Sequence, residues 1–170
     1  MPRRQLSPTE TAEARLVFGA GLKYGRISIV ENTEFPNIVA AIGRAPKPNA
    51  VSLGGTIYFP ETLLTSAQDI AQGNLRAMAW LMHELAHQWQ YQRMGWVYLA
   101  RSGWVQVTQG RTGYVYEIVP GRKLADYNLE QQGDIARDYY CALKTGWNCT
   151  HTAQREPAAW EALVEEFRRL

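Results

Sequence analysis

Three residues in one short run could do chemistry together: His83, Glu84 and His87, in the order His-Glu-Leu-Ala-His. They fall inside residues 74–94, a stretch of good helix formers closed by Gly95, the residue type suited to a left-handed helix terminus. On a helix, positions i and i+4 lie one above the other on the same face. Both imidazoles can therefore aim a ring nitrogen at one ion, at about 2.0–2.1 Å if the ion is zinc. Glu84 is rotated by roughly 100° from His83. Its carboxylate then flanks the ion without binding it, where it can take a proton from an attacking water. Two histidines and a glutamate at this spacing are a set for metal-assisted hydrolysis.

A catalytic zinc site uses three protein ligands, so one is still missing. The next suitable helix is expected over residues 126–144, stopped by Gly146. It offers Glu130 and Asp134, again i and i+4 on one face. Glu130 is the candidate third ligand. Asp134 is the candidate acceptor for the outer N–H of a ligand histidine. His151 in a Cys/Thr/His loop, Asp126 and Asp138 are the alternatives for the third place. For stabilising a developing oxyanion, the candidates are Tyr114, Tyr116, Tyr127 and His151.

Several elements must position these groups. Ser7-Pro8-Thr9-Glu10 is a capping box with proline at the first helical position, so a helix starts there, with Ala12, Leu16, Val17 and Phe18 as its buried stripe. Residues 26–30 alternate like a half-buried strand, and 38–42 read as a second. Val51-Ser52-Leu53 and Thr56-Ile57-Tyr58-Phe59 flank Gly54-Gly55. That is either a hairpin turn or a bulged edge at which Gly54, Gly55, Thr56 and Tyr58 receive a substrate as an added strand. Residues 61–64 are expected to start a short helix. Residues 96–99 and 114–118 read as extended. Glu156-Pro157 opens a last amphipathic helix with Trp160, Leu163, Val164 and Phe167 on its apolar face. The order predicts an α+β fold in one domain: a small antiparallel or mixed sheet packed on the His83–His87 helix and on a second helix carrying the third ligand.

The wording GGTIYF, then HELAHQWQ, then LADYNLEQQGDIARDYY resembles a known group. HExxH, a later helical glutamate and an aspartate four residues on are similar to the gluzincin (thermolysin-like) zinc peptidases. The fuller pattern, over residues 6–140, resembles the metallopeptidase domains found as C-terminal extensions of type VI secretion spike (VgrG) proteins and their stand-alone relatives. The resemblance implies a zincin-like fold and a bound Zn2+ held by His83, His87 and Glu130. It implies Glu84 as the catalytic glutamate, with Asp134 in support. It further implies an antibacterial effector made in the cytoplasm and exported by a contractile machine to a target cell's periplasm. A peptide or protein substrate, a spike carrier and an immunity protein would be its partners. The same chemistry would also serve a zinc amidase acting on peptidoglycan peptides or a cytoplasmic regulatory protease. A non-catalytic zinc-stabilised binding module is the remaining alternative.

Composition narrows the classes. The 170 residues carry a net charge of +2 and no long basic run, which argues against nucleic acid as a partner. Their 46% hydrophobic and 20% charged content is that of a globular domain. No apolar run approaches the roughly 20 residues of a membrane span. The start, MPRRQLSPTE, has arginines but no apolar region after them, so no cleavable secretion signal is expected. Cys141 and Cys149, without a C-x-x-C, exclude a cysteine-rich zinc site and leave a disulfide or two thiols open. The tryptophans at 80, 89, 96 and 104 are expected mainly to pack.

Overall fold

The computed structural model describes residues 2–37, 50–95, 116–145 and 156–169. The expected strand at 38–42, the extended segment at 96–99, Tyr114, Trp96, Trp104, Cys149 and His151 lie outside them. The fold is α+β, with a small mixed sheet and the helices packed together.

Strands β1 (Arg3–Gln5), β2 (Ser28–Val30), β3 (Val51–Leu53) and β4 (Thr56–Tyr58) form one sheet in the order β1-β2-β4-β3. β1 and β3 run antiparallel to their neighbours, while β2 and β4 are parallel. Gly54, at φ 60, makes the tight turn between β3 and β4, so the hairpin is the alternative that holds. The register lines up Arg4, Ile29, Ile57 and Ser52 across the sheet. Paired residues share a face, and Ser52 reaches the Glu84 side chain at 2.9 Å. This rank therefore faces the long helix.

Helix α1 (Pro8–Phe18) starts as its capping box requires: Ser7 Oγ accepts from Glu10 N–H, and Glu10 Oε2 accepts from Ser7 N–H. Its buried stripe is Ala14, Val17 and Phe18, with Leu16 exposed at 40%, a rotation away from the expected stripe. The buried Glu10 explains the shift. It accepts two hydrogen bonds from Arg4 and one from Thr65, and so turns this polar side of the helix inward. The helix expected at residues 61–64 is instead α2 (Ala67–Ala71), capped by Ser66 and Asp69 in a reciprocal box.

The long helix is α3 (Arg76–Met94), ended by Gly95 at φ 60. α4 (Leu129–Thr145) begins later than expected, because residues 124–126 form a separate 3-10 turn. Asn128 then caps α4: its Oδ1 accepts from Gln131 N–H, and Gln131 Oε1 accepts from Asn128 N–H. The last helix, α5 (Glu161–Arg168), buries Trp160, Leu163, Val164 and Phe167. Phe167 packs edge-on against Phe18 of α1 and Trp89 of α3, which ties the three helices together. Trp80 packs edge-on to Phe59, as a core residue should. Cys141 is buried on α4 and disulfide-bonded.

Candidate metal centre

α3 and α4 pack along each other, and their shared face is polar where helix pairs are usually apolar. His83, His87 and Gln90 from α3 are buried there with Glu130, Gln132 and Asp134 from α4, and Glu84 is buried toward β3. So many buried polar groups are costly unless each finds a partner. Most of the partners are one another.

His83 Nε2, His87 Nε2 and Glu130 Oε2 converge. The two nitrogens are 3.1 Å apart, and the carboxylate oxygen is 3.4 Å from the first and 3.6 Å from the second. Tetrahedral ligands at zinc distances stand about 3.3–3.4 Å from one another, so the triangle fits such an ion. The outer ring nitrogens are both engaged. His83 Nδ1 faces Asp134 Oδ1 at 2.8 Å, and His87 Nδ1 faces Gln90 Oε1 at 2.9 Å. With the proton on Nδ1 in each ring, both Nε2 atoms present lone pairs to the centre. Three electron-rich atoms then meet with no donor among them. A cation is what such an arrangement holds.

The electrostatics agree. Burial disfavours a charged His83, yet the hydrogen bonds it donates to Asp134 and Glu130 outweigh it and push its pKa up to about 10. Burial likewise opposes a charged His87, and Glu130 overrides it upward. Burial would raise the Glu130 carboxyl, but His87 and His83 hold it well below the usual carboxylate range. The pocket is built to stabilise positive charge at its centre, and a proton and a metal ion compete for that place. Among the described residues this is the cluster of histidine and acidic side chains with metal-binding geometry.

Glu84 is 4% exposed and is held from the sheet: Ser52 Oγ donates to its Oε2 at 2.9 Å. Sequence reasoning took Ser52 as an ordinary strand residue. No sequence signal marked it, since β3 inverts the usual pattern, with the serine buried and Leu53 exposed. Gly133 was missed too. A Cβ there would stand 2.7–3.0 Å from three ring atoms of His83, so only glycine lets α4 approach this closely. Arg137 was the third omission: its guanidinium donates at 2.7 Å to the same Asp134 Oδ1 that faces His83.

Other expectations need correction. Tyr116 is not free to stabilise an oxyanion. Its hydroxyl donates to Asp138 Oδ2 at 2.7 Å and accepts from Trp160 Nε1 at 3.1 Å, in a buried network. Burial, with Asp138 alongside, drives its pKa far upward. Tyr127 donates to Glu117 O. Asp138 is engaged with Tyr116, and Asp126 caps the preceding 3-10 turn, so neither joins the ligand triangle. Thr56 and Tyr58 cannot receive an added strand, since β4 is paired on both sides. Among the described residues, the edge strand beside the site is β3.

No protein-family model matches the chain. Over 139 residues it is 34% identical to the type VI secretion system spike protein VgrG2b of Pseudomonas aeruginosa. That stretch is 81% of this chain but only 13% of the spike protein's length. The structure of the effector domain of Pseudomonas aeruginosa VgrG2b superposes with a TM-score of 0.64 at 33% identity. The match covers 84% of this chain and 75% of that one. No helix among the described residues is long and apolar enough to cross a membrane.

Proposed function

The chain belongs to the family of the VgrG2b effector domain, and from that premise we propose that it is a zinc-dependent metallopeptidase acting as a secreted effector. The observation that carries the reading is the convergence of His83 Nε2, His87 Nε2 and Glu130 Oε2, with Glu84 on the same helix. Among the described residues three protein ligands with a flanking glutamate meet there, which matches the count of a catalytic zinc site.

When bound, zinc supplies Lewis acidity that brings the pKa of water toward about 7 and polarises a carbonyl. Glu84 accepts the proton of the attacking water on its carboxylate and passes it to the leaving amine nitrogen. Ser52 restrains that carboxylate by its hydrogen bond, so the base does not have to be reoriented for each turnover. Asp134 and Gln90 hold the outer N–H groups of the two histidines and keep the inner lone pairs aimed. An extended peptide adding beside the β3 edge would pass next to this machinery.

VgrG2b is a type VI secretion spike protein. That relationship supports a spike carrier for this domain; an immunity protein in the producing cell and action in a target periplasm complete the proposal. The disulfide at Cys141 suits an oxidising compartment and favours that setting over a cytoplasmic protease.

The test is expression of wild type and Glu84→Ala in bacterial cells with and without periplasmic export, beside assays of the purified proteins with zinc. Growth arrest by exported wild type alone, and cleavage of unfolded protein in vitro, are expected. Release of peptides from purified sacculi without cleavage of protein would move the reading to a peptidoglycan amidase. No hydrolysis of either substrate would overturn it.

A further inference from the structure

The second histidine of the cluster, His87, meets a side-chain amide at its outer nitrogen. That amide belongs to Gln90, one turn further along the same helix and fully buried. Which end of that amide faces His87 is fixed by its other contacts. Gln90 Nε2 lies 2.9 Å from the backbone carbonyl oxygen of Leu129 and 2.9 Å from Gln132 Oε1. A backbone carbonyl can only accept, so the atom facing Leu129 must be the amide nitrogen. The same logic orients Gln132, whose Nε2 donates to the carbonyls of Leu124 at 3.1 Å and Tyr127 at 2.9 Å.

Three backbone carbonyls thus set the direction of the whole chain of hydrogen bonds. Gln132 must present its oxygen to Gln90, and Gln90 must present its oxygen to His87. That oxygen requires a proton on His87 Nδ1, which in the neutral ring leaves the lone pair on Nε2, pointing at His83 and Glu130. The backbone around residues 124–129 therefore selects the histidine tautomer on a different helix. Leu129 immediately precedes Glu130, so the same contacts tie α3 to the first turn of the helix that carries the third ligand.

We propose that Gln90, with Gln132 behind it, is a positioning residue that assembles this site before any metal arrives. It fixes His87 in the metal-binding tautomer and holds the Glu130 end of α4 against α3. The proposal rests on reading His83, His87 and Glu130 as a metal site, and its test separates the two.

The full chain is prepared as wild type, Gln90→Met and Gln132→Met, both substitutions being close in volume and apolar. Imidazole nitrogen resonances of the metal-free proteins, recorded on the alkaline side where the rings are neutral, report the His87 tautomer, and competition with a chelator reports zinc affinity. In wild type, His87 is expected as the Nδ1–H tautomer alone. In Gln90→Met a mixture of tautomers is expected, with zinc binding weakened by about 10–100-fold. In Gln132→Met the tautomer is expected to persist, because Leu129 still orients Gln90, while zinc binding weakens by up to about tenfold.

A folded Gln90→Met protein with a single His87 tautomer and wild-type zinc affinity would overturn the proposal. If Gln90→Met does not fold, Gln132→Met decides, and unchanged zinc affinity in it would overturn the link to α4. Wild type that shows the fixed tautomer but binds no zinc would refute the metal reading and leave the tautomer selection standing.

Discussion

The backbone of Gly133 lies against the imidazole of His83, so close that a methyl group on the glycine would stand 2.7 Å from Cε1 and 2.8 Å from Nδ1. This contact sets the distance between α3 and α4, and with it the reach of Glu130 and Asp134 to the two histidines. Gly133→Ala should push the helices apart or turn the His83 ring away from Asp134. A stability loss of about 1–3 kcal/mol is expected from overpacking, with zinc affinity down by about tenfold or more. Chemical denaturation and chelator competition on the same preparation measure both.

The supports of His83 should separate in metal titrations. Glu130→Ala removes a ligand and should abolish stoichiometric zinc binding. Asp134→Ala leaves the ligand set whole but frees the His83 ring, and should weaken zinc binding by about 10–100-fold. Equal losses in the two variants would mean that Asp134 is a ligand instead of a support.

Ser52 should matter to turnover and not to metal. A hydrogen bond to a charged group contributes about 1.5–3 kcal/mol, so Ser52→Ala is expected to lower kcat by about 10–100-fold. KM and zinc content should remain at wild-type values, and Ser52→Thr should recover much of the rate. A rise in KM at constant kcat would place Ser52 in substrate binding instead.

How much of this was readable in the sequence depended on whether a residue's role was local. The capping box at Ser7 and Glu10, the i, i+4 pairs His83–His87 and Glu130–Asp134, and the apolar face of α5 are all short-range patterns, and they appear as expected. Asn128 and Gln131 form a cap that was equally readable, and it sets the start of α4. Ser52, Gly133 and Arg137 were not legible as site residues, because each acts on a group from another element or on a partner's charge. In β3 the usual pattern is inverted, with serine inside and leucine outside, since a buried carboxylate from α3 waits there. Tyr116 failed in the opposite direction. A tyrosine is a fair oxyanion donor by type, but its hydroxyl is bound between Asp138 and Trp160.

Acid sensitivity should arise from a buried carboxylate far from the metal cluster in sequence, Glu10. Burial raises the Glu10 pKa, but hydrogen bonds from Arg4, Ser7 and Thr65 outweigh it and hold the carboxyl below its usual range. A depressed folded-state pKa adds stability that is complete above the unfolded value of about 4.3 and is lost as pH falls through the folded value. Melting temperature should therefore drop below about pH 4, and less steeply in Glu10→Gln. Arg4→Met strands the Glu10 charge and should cost about 3 kcal/mol at neutral pH.

The central claim is that the α3–α4 cluster binds zinc for hydrolysis, with Glu84 as the base. Zinc content and peptide hydrolysis, measured side by side for wild type and Glu84→Ala, test it most directly. One zinc per chain is expected in both proteins, and hydrolysis by wild type alone. Full activity in Glu84→Ala, or a wild type that hydrolyses peptides without zinc, would contradict the claim.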